Sequence, residues 1–294
     1  MMRIEGLRKN FGNVEALRGI GFEVLKGELY GFLGPNGAGK TTTVKLLTGL
    51  AKPDAGTATL DGRDIFKTDT AARRRVGVVH QHSSLDLDLT IRENLFIHSL
   101  YYEIPRAEFR KRLEEILDFT DLRGRADDRV RGFSGGMKRR LMIGRALMHR
   151  PDVIFLDEPT AGLDPTIRRK VWSLIKAAQR DGATLFLTTH YIEEAEFLCD
   201  RVAFIDNGAI LTIDTPENLK NSLGRWAVDI FEGTDMRTKF FADRRSAENF
   251  ILSSDRPMNI RRVNLEDAFI SLTGRAIGVD PPAAANHNSS PAPL

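Results

Sequence analysis

Several hydrophobic rhythms follow one another along the chain. From residue 2 to about residue 30, apolar and polar positions alternate in strand fashion, with turns at Gly12-Asn13 and Lys26-Gly27. A period of two marks a half-buried strand. The stretch 56–64, broken by Asp61-Gly62, adds another strand or hairpin. Around residues 29–33, 76–79, 153–156 and 184–189 the pattern changes to short, nearly continuous apolar runs. Such runs read as parallel strands covered on both faces. Between about residues 90 and 150 the period is helical: Pro105 opens the segment 106–119, in which Phe109, Leu113, Ile116 and Leu117 share a face. A further helix is expected from Pro165 to about Arg180, and a hairpin joins 202–205 to 209–213 through Asp206-Asn207-Gly208.

Past Leu223 the rhythm becomes sparse. A strand over 226–231 and helices over 244–252 and 265–272 suggest a small accessory unit at 223–275. Residues 276–294 hold too few large apolar groups to pack and are expected to be disordered.

The most informative chemistry follows the first apolar run. Gly34-Pro35-Asn36-Gly37-Ala38-Gly39-Lys40-Thr41-Thr42 is a complete phosphate-binding loop between a strand and an amphipathic segment. Its glycines let the backbone approach a polyphosphate, whose charge meets converging N–H groups and the positive end of a helix. Lys40 is expected to reach the β- and γ-phosphates, Thr41 to ligate Mg²⁺, and Thr42 to add phosphate contacts. Kinases, GTPases, helicases and transporters share this loop, so other segments must decide the class.

The run 153–156 ends in Asp157-Glu158. A central parallel strand would deliver both carboxylates beside the phosphate loop, where Asp157 suits Mg²⁺ as a hard oxygen donor and Glu158 can poise a water for in-line attack. Phe133-Ser134-Gly135-Gly136-Met137 then heads another amphipathic helix, a second anion-binding N-terminus where one active site needs only one. The cations that follow, Lys138, Arg139, Arg140 and Arg145, read as a solvated face opposite Met137, Leu141, Leu147 and Met148.

In this order the motifs resemble the nucleotide-binding subunit of an ATP-binding cassette transporter. The set comprises the loop 34–42, Gln81 after the strand 76–79, and the signature 133–137. It continues with Asp157-Glu158, the turn Ala161-Gly162-Leu163-Asp164, and His190 after the strand 184–189. The match covers roughly residues 1–222 and implies an α/β fold: a P-loop cassette with a mostly parallel core sheet, an N-terminal antiparallel β subdomain, a helical subdomain inserted at about 90–150, and a small C-terminal α+β appendage. The resemblance implies that two copies pack head to tail, so that Ser134, Gly135 and Gly136 of one complete the ATP site of the other. It also implies that Phe11 stacks on adenine, that Gln81 touches Mg²⁺ or the attacking water, that His190 orients Glu158 and bonds the γ-phosphate, and that Asp164 lies across the dimer seam. Phe133 and Met137 stand where the family's signature has Leu and Gln, so no amide contact to the opposing ribose carries over. The Phe-Ser-Gly-Gly-Met-Lys-Arg-Arg version, with Thr-His-Tyr-Ile-Glu-Glu-Ala-Glu at 189–196, is most similar to exporters of drugs, polysaccharides and lipo-oligosaccharides.

Composition adds boundaries. The 294 residues suffice for a full α/β core plus an appendage. Forty-three Lys and Arg against 40 Asp and Glu leave a net charge of +3, and the basic pairs are dispersed rather than striped, so no nucleic-acid partner is expected. The single Cys199 forms no internal disulfide, and no signal-like or membrane-spanning apolar stretch is present. The expected subunit is therefore cytoplasmic, peripheral at the inner membrane face through separate transmembrane permease subunits. His80 and His82 flank Gln81 without a third ligand and read as loop histidines. The alternative is a non-transport cassette ATPase acting on DNA or ribosomes; the family's DNA-acting members carry long coiled coils and its ribosome-acting ones two cassettes, and neither feature is found here.

Overall fold

A computed structural model describes residues 1–67, 74–233, 235–254 and 256–274. The tail expected at 276–294, and residue 275 at the accessory unit's edge, lie outside the described residues. The strand before the phosphate loop, β3 (Leu29–Leu33), is buried at every position. With β6 (Val76–Val79), β7 (Val153–Asp157), β8 (Thr184–Thr189), β9 (Arg201–Asp206) and β10 (Ala209–Asp214) it forms a six-stranded sheet of order β10-β9-β3-β8-β7-β6. All pairings are parallel except that of the edge strand β10.

Continuous apolar runs are needed here because successive side chains point to opposite sides of the sheet and both sides are covered. Tyr30, Phe32, Phe155 and Phe186 join one buried cluster with Phe22 and Val44; Leu29, Leu33, Ile154, Leu156, Leu185 and Leu187 join the other. On the first side lies a four-stranded antiparallel sheet of β1 (Met2–Phe11), β2 (Val14–Val24), β4 (Ala55–Leu60) and β5 (Arg63–Asp64), in the order β2-β1-β4-β5. Phe22 reaches from it to stack on Tyr30 and Phe186, with ring centroids 5.4 and 5.6 Å apart. Helix α1 (Lys40–Leu47) leaves the phosphate loop and buries Val44, Leu46 and Leu47 in this cluster.

The other cluster is covered by α2 (Ile91–Tyr101), α3 (Arg106–Phe119) and α4 (Gly135–Leu147), with α5 (Pro165–Arg180) and α6 (Ile192–Leu198). Thr90 and Glu93 cap α2 reciprocally, Pro105 precedes α3, and the anticipated α3 face of Phe109, Leu113, Ile116 and Leu117 is buried.

After α7 (Pro216–Asn221), a three-stranded antiparallel sheet forms from β11 (Trp226–Glu232), β12 (Asp235–Phe241) and β13 (Met258–Arg262), with β11 central, together with α8 (Arg244–Leu252). Only the central strand was expected. Both edge strands are polar over much of their length, which mutes the alternation that marks a half-buried strand. The last helix, α9 (Leu265–Thr273), packs back on the main body: Leu265, Ala268 and Phe269 share the buried cluster of Leu198 and Phe204. The Phe204 and Phe269 rings meet edge to face at 5.3 Å. A boundary near 222 therefore separates the sheets but cuts through a common core.

Candidate functional site

The parallel register decides what meets at the sheet's C-terminal edge. Leu33 lies opposite Thr189, and Asp157 opposite Thr188, so the phosphate loop, Asp157-Glu158 and His190 leave three adjacent strands at one level. Ligands of open α/β sheets bind at this edge. The loop's glycines are required by space: a Cβ at Gly34 would sit 2.1 Å from Ile205 O, and Gly39, at φ 105°, would place one 2.7 Å from Ala16 O. Gly208 N–H donates to Ala38 O and Arg18 N–H to Gly208 O, so the 206–208 turn braces the loop.

Three titratable side chains converge beneath it. Lys40 Nζ donates to the carbonyls of Gly34 (2.9 Å) and Pro35 (3.0 Å) and lies 3.3 Å from Glu158 Oε1. His190 Nδ1 is 3.0 Å from Glu158 Oε2, and because a carboxylate only accepts, the nitrogen donates. Burial alone would raise the Glu158 carboxyl's pKa, but the His190 hydrogen bond and the Lys40 charge outweigh it and hold it below the usual value. Burial likewise draws Lys40 below the ordinary lysine range, against the opposing pull of Glu158. Glu158 has φ 47°, a left-handed conformation that a non-glycine residue keeps only when its surroundings enforce it. Thr41 Oγ1 donates to Asp157 Oδ1 at 3.3 Å, and Thr188 Oγ1 donates to the same oxygen at 2.6 Å. Hydroxyl and carboxylate oxygens converging in this way fit the hard-donor preference of Mg²⁺.

A cavity of about 510 Å³ opens over these groups. Of the residues singled out in the sequence, Asn36, Gly37, Gly39, Lys40, Thr41, Thr42, Gln81 and Glu158 line it; Asn13, Val14, Glu15, Ala16, Arg18 and Asn207, not singled out as site residues, line it as well. The Gly12-Asn13 and Asn207-Gly208 turns carried a signal as turns, but nothing local brings either to a loop distant in the chain.

Phe11 is 52 % exposed at the end of β1 and is not itself in the lining, although Asn13 of the following turn and Val14 at the start of β2 are. Ser134, Gly135 and Gly136 also lie outside it: Ser134 caps α4, its Oγ accepting from Met137 N–H at 3.3 Å. Asp164 caps α5 through Ile167 N–H at 3.0 Å.

One expectation is corrected. The cations after the signature are not a solvated face. Arg139 is 7 % exposed and donates to the carbonyls of His80 (2.7 Å) and Gln81 (2.8 Å); Arg145 donates to Ser84 O (2.7 Å), and Arg140 to Thr120 O (2.8 Å) and Asp121. Arg139 and Arg145 bind α4 to the Gln81 loop, and Arg140 binds it to the C-terminal end of α3, because backbone carbonyls left without ladder partners there accept charged donors.

Residues 17–161 match the sequence profile described as ABC transporter. The chain is 41 % identical to the Nod factor export ATP-binding protein I of Ralstonia nicotianae, over 94 % of each chain. It is 42 % identical to the linearmycin resistance ATP-binding protein LnrL of Bacillus subtilis, over 76 % of this chain and 72 % of that protein. Among solved structures it resembles CbiO1 of Clostridium perfringens, described as part of an ABC transporter complex, with a TM-score of 0.69 and 29 % identity over 74 % of this chain and 89 % of that one. It also resembles a dimeric ATP-binding cassette in a post-hydrolysis state bound to ADP and phosphate, with a TM-score of 0.65 and 28 % identity over 73 % and 98 %.

Proposed function

The chain belongs to the ABC transporter family as an ATP-binding, ATP-hydrolysing subunit, and on that premise we propose that it powers export through separate transmembrane subunits, two copies closing head to tail around ATP. The observation that carries the reading is the meeting of Lys40, Glu158 and His190, from three separate segments, under one cavity. In this reading the loop N–H groups and Lys40 bind the phosphates, and Thr41, Asp157 and Gln81 would hold Mg²⁺, which when bound neutralises phosphate charge. Glu158 directs a water at the γ-phosphate as general base. His190 gives one ring proton to Glu158; to hydrogen-bond the γ-phosphate through Nε2 as well, the imidazole must carry both protons.

Ser134, Gly135 and Gly136 contribute to the partner copy's nucleotide, with Asp164 at the seam, and Phe11 is free to stack on adenine. The helical dipole behind Ser134, outside its own copy's cavity, supports this assignment, as does the dimeric relative. No helix among the described residues is long and apolar enough to cross a membrane. Exposed Leu50, Ile97, Leu100 and Tyr101, beside a cavity of about 480 Å³ reaching from Leu47 to Tyr102, offer an apolar surface for a permease. That docking places the subunit at the cytoplasmic membrane face. The relatives' names, Nod factor export and linearmycin resistance, support a cargo of the drug-like, lipid-linked or polysaccharide kind, chosen by the transmembrane chains. The test is Glu158→Gln, which should keep ATP binding within about threefold and lose at least about 100-fold in hydrolysis. Parental hydrolysis would remove Glu158 from the mechanism.

A further inference from the structure

Behind the Glu158–His190 contact, the same two chain segments are joined a second time. Glu194, four residues after His190 on α6, is 0 % exposed. Its Oε1 accepts from Thr160 Oγ1 at 2.8 Å and from Trp172 Nε1 at 2.9 Å. Thr160 lies two residues after Glu158, so residues 158–160 and 190–194 are cross-linked by two side-chain bonds, one at the reacting end and one behind it. Trp172 ties in a third segment, α5, which begins at the Asp164 cap.

We propose that Glu194 is a positioning residue for hydrolysis: by holding Thr160 it fixes the segment that carries Glu158 against the segment that carries His190. The inference rests on the roles given to those two residues above. Three observations argue that this is more than packing. A strained Glu158 needs surroundings that enforce its backbone, and the Thr160–Glu194 bond is the side-chain restraint immediately downstream of it. Helix α6 has seven residues, too few to hold its shape without tertiary anchors, yet His190 lies only two residues before its first turn. Finally, a buried carboxyl is an expensive way to fill space: Oε2 has no hydrogen-bond partner, although the fully buried Nε of Arg168, also unpaired, shares the region. An aliphatic side chain would fill the volume without that penalty but could not accept from Thr160.

The test uses the full chain and measures steady-state phosphate release together with binding of ATP. Thr160→Val keeps shape and removes the donor; Glu194→Leu keeps bulk and removes the acceptor. Each is expected to lower kcat about tenfold or more with KM and ATP affinity within about twofold, whereas Thr160→Ser and Glu194→Gln, which keep the bond, stay within about threefold of the parent. In a His190→Ala background Thr160→Val should change kcat by less than about twofold, because the geometry it protects is already gone. If Glu194→Leu fails to fold, Thr160→Val carries the test alone. A Thr160→Val protein with parental kcat, with its loss confined to KM, or with an undiminished loss in the His190→Ala background overturns the proposal. Glu158→Gln separates the two levels: if it hydrolyses at the parental rate, the underlying roles fail; if it is inactive while Thr160→Val is not impaired, only the positioning role fails.

Discussion

Lys40 Nζ lies 3.3 Å from Glu158 Oε1, and the two side chains are 4 % and 7 % exposed. This pairing acts on the carboxylate together with the His190 hydrogen bond. Glu158 is held in its charged form by His190 and Lys40, and a carboxylate so stabilised is a weak base. On the roles proposed above, a polyphosphate that drew the lysine toward itself would weaken the pair and raise the basicity of Glu158. Removing the cation by Lys40→Met should therefore raise the Glu158 pKa, since one of the two groups that offset burial is gone. Carbon-13 shifts of labelled glutamate across a pH titration measure this, and an unmoved Glu158 titration would exclude the pairing as its cause. The same variant should lose about 100-fold or more in kcat/KM, the scale of removing a preorganised charge contact.

For the nucleotide base, Phe11 presents a half-exposed ring beside the turn that lines the cavity. Phe11→Ala should weaken ATP binding by about 1 kcal/mol, roughly fivefold, while Phe11→Tyr should be nearly silent. Equal affinities in the three proteins, measured by calorimetry, would leave adenine to Val14 and its neighbours.

Glu194 gives a pH signature independent of turnover. Burial raises its pKa above 4.5, against the pull of Thr189, Thr160, Trp172 and the Arg168 charge; Arg139 is the other cation near it and Cys199 a neutral neighbour. For an acid whose folded pKa is raised, the folded state holds the proton longer than the unfolded one. Its contribution to stability is thus intact below the unfolded pKa and falls as pH climbs toward the folded value. Glu194→Gln mimics the protonated form and does not titrate. The melting temperature of Glu194→Gln minus that of the parent should be near zero at pH 4 and grow more positive toward pH 8. A difference that shrinks as pH rises contradicts a raised pKa.

How much of this could be read from residues alone follows from which signals are local. The runs at 29–33, 153–156 and 184–189 announced buried strands because a strand packed on both faces has no polar side to show. The face of α3 was visible because its apolar residues recur at helical spacing against a charged opposite face, and the phosphate loop was visible because only glycine fits at positions such as Gly34. Arg139 was misread because periodicity reports that a side chain is charged, not that two carbonyls await it on a loop 58 and 59 residues earlier. Glu194 sits in Glu193-Glu194-Ala195-Glu196, where composition cannot tell the buried acid from exposed Glu193 and half-buried Glu196.

The accessory unit shows a similar limit. Its last helix was expected, but not its seat against Phe204. Phe269 is fully buried there, so Phe269→Ala should destabilise the main body by about 3–5 kcal/mol, and a chain ending at Leu223 should lose comparable stability by exposing the surface that Leu265, Ala268 and Phe269 cover. Denaturant unfolding followed at Trp172 reads this out, because that residue lies in the main body. Unchanged unfolding of the Phe269→Ala protein would show the unit to be separable.

The composite site makes the most demanding prediction. If Glu158 directs the water while Lys40 and the partner's signature segment hold the phosphates, Glu158→Gln should retain bound ATP and stay closed. Because ATP then binds the closed pair better than the separated copies, linkage requires that ATP drive association, and ADP much less so. Sedimentation of the Glu158→Gln protein should show a shift from monomer to dimer with Mg²⁺ and ATP. Adding Ser134→Arg places bulk and charge at the helix N-terminus that Ser134 now caps, and this should abolish the dimer while changing single-copy ATP affinity by less than about threefold, since Ser134 lies outside its own copy's cavity. ATP affinity measured below the dimerisation range separates these effects. A dimer that ignores both nucleotide and Ser134 would falsify the head-to-tail arrangement. A large loss of single-copy affinity on Ser134→Arg would instead put the signature segment in its own copy's site.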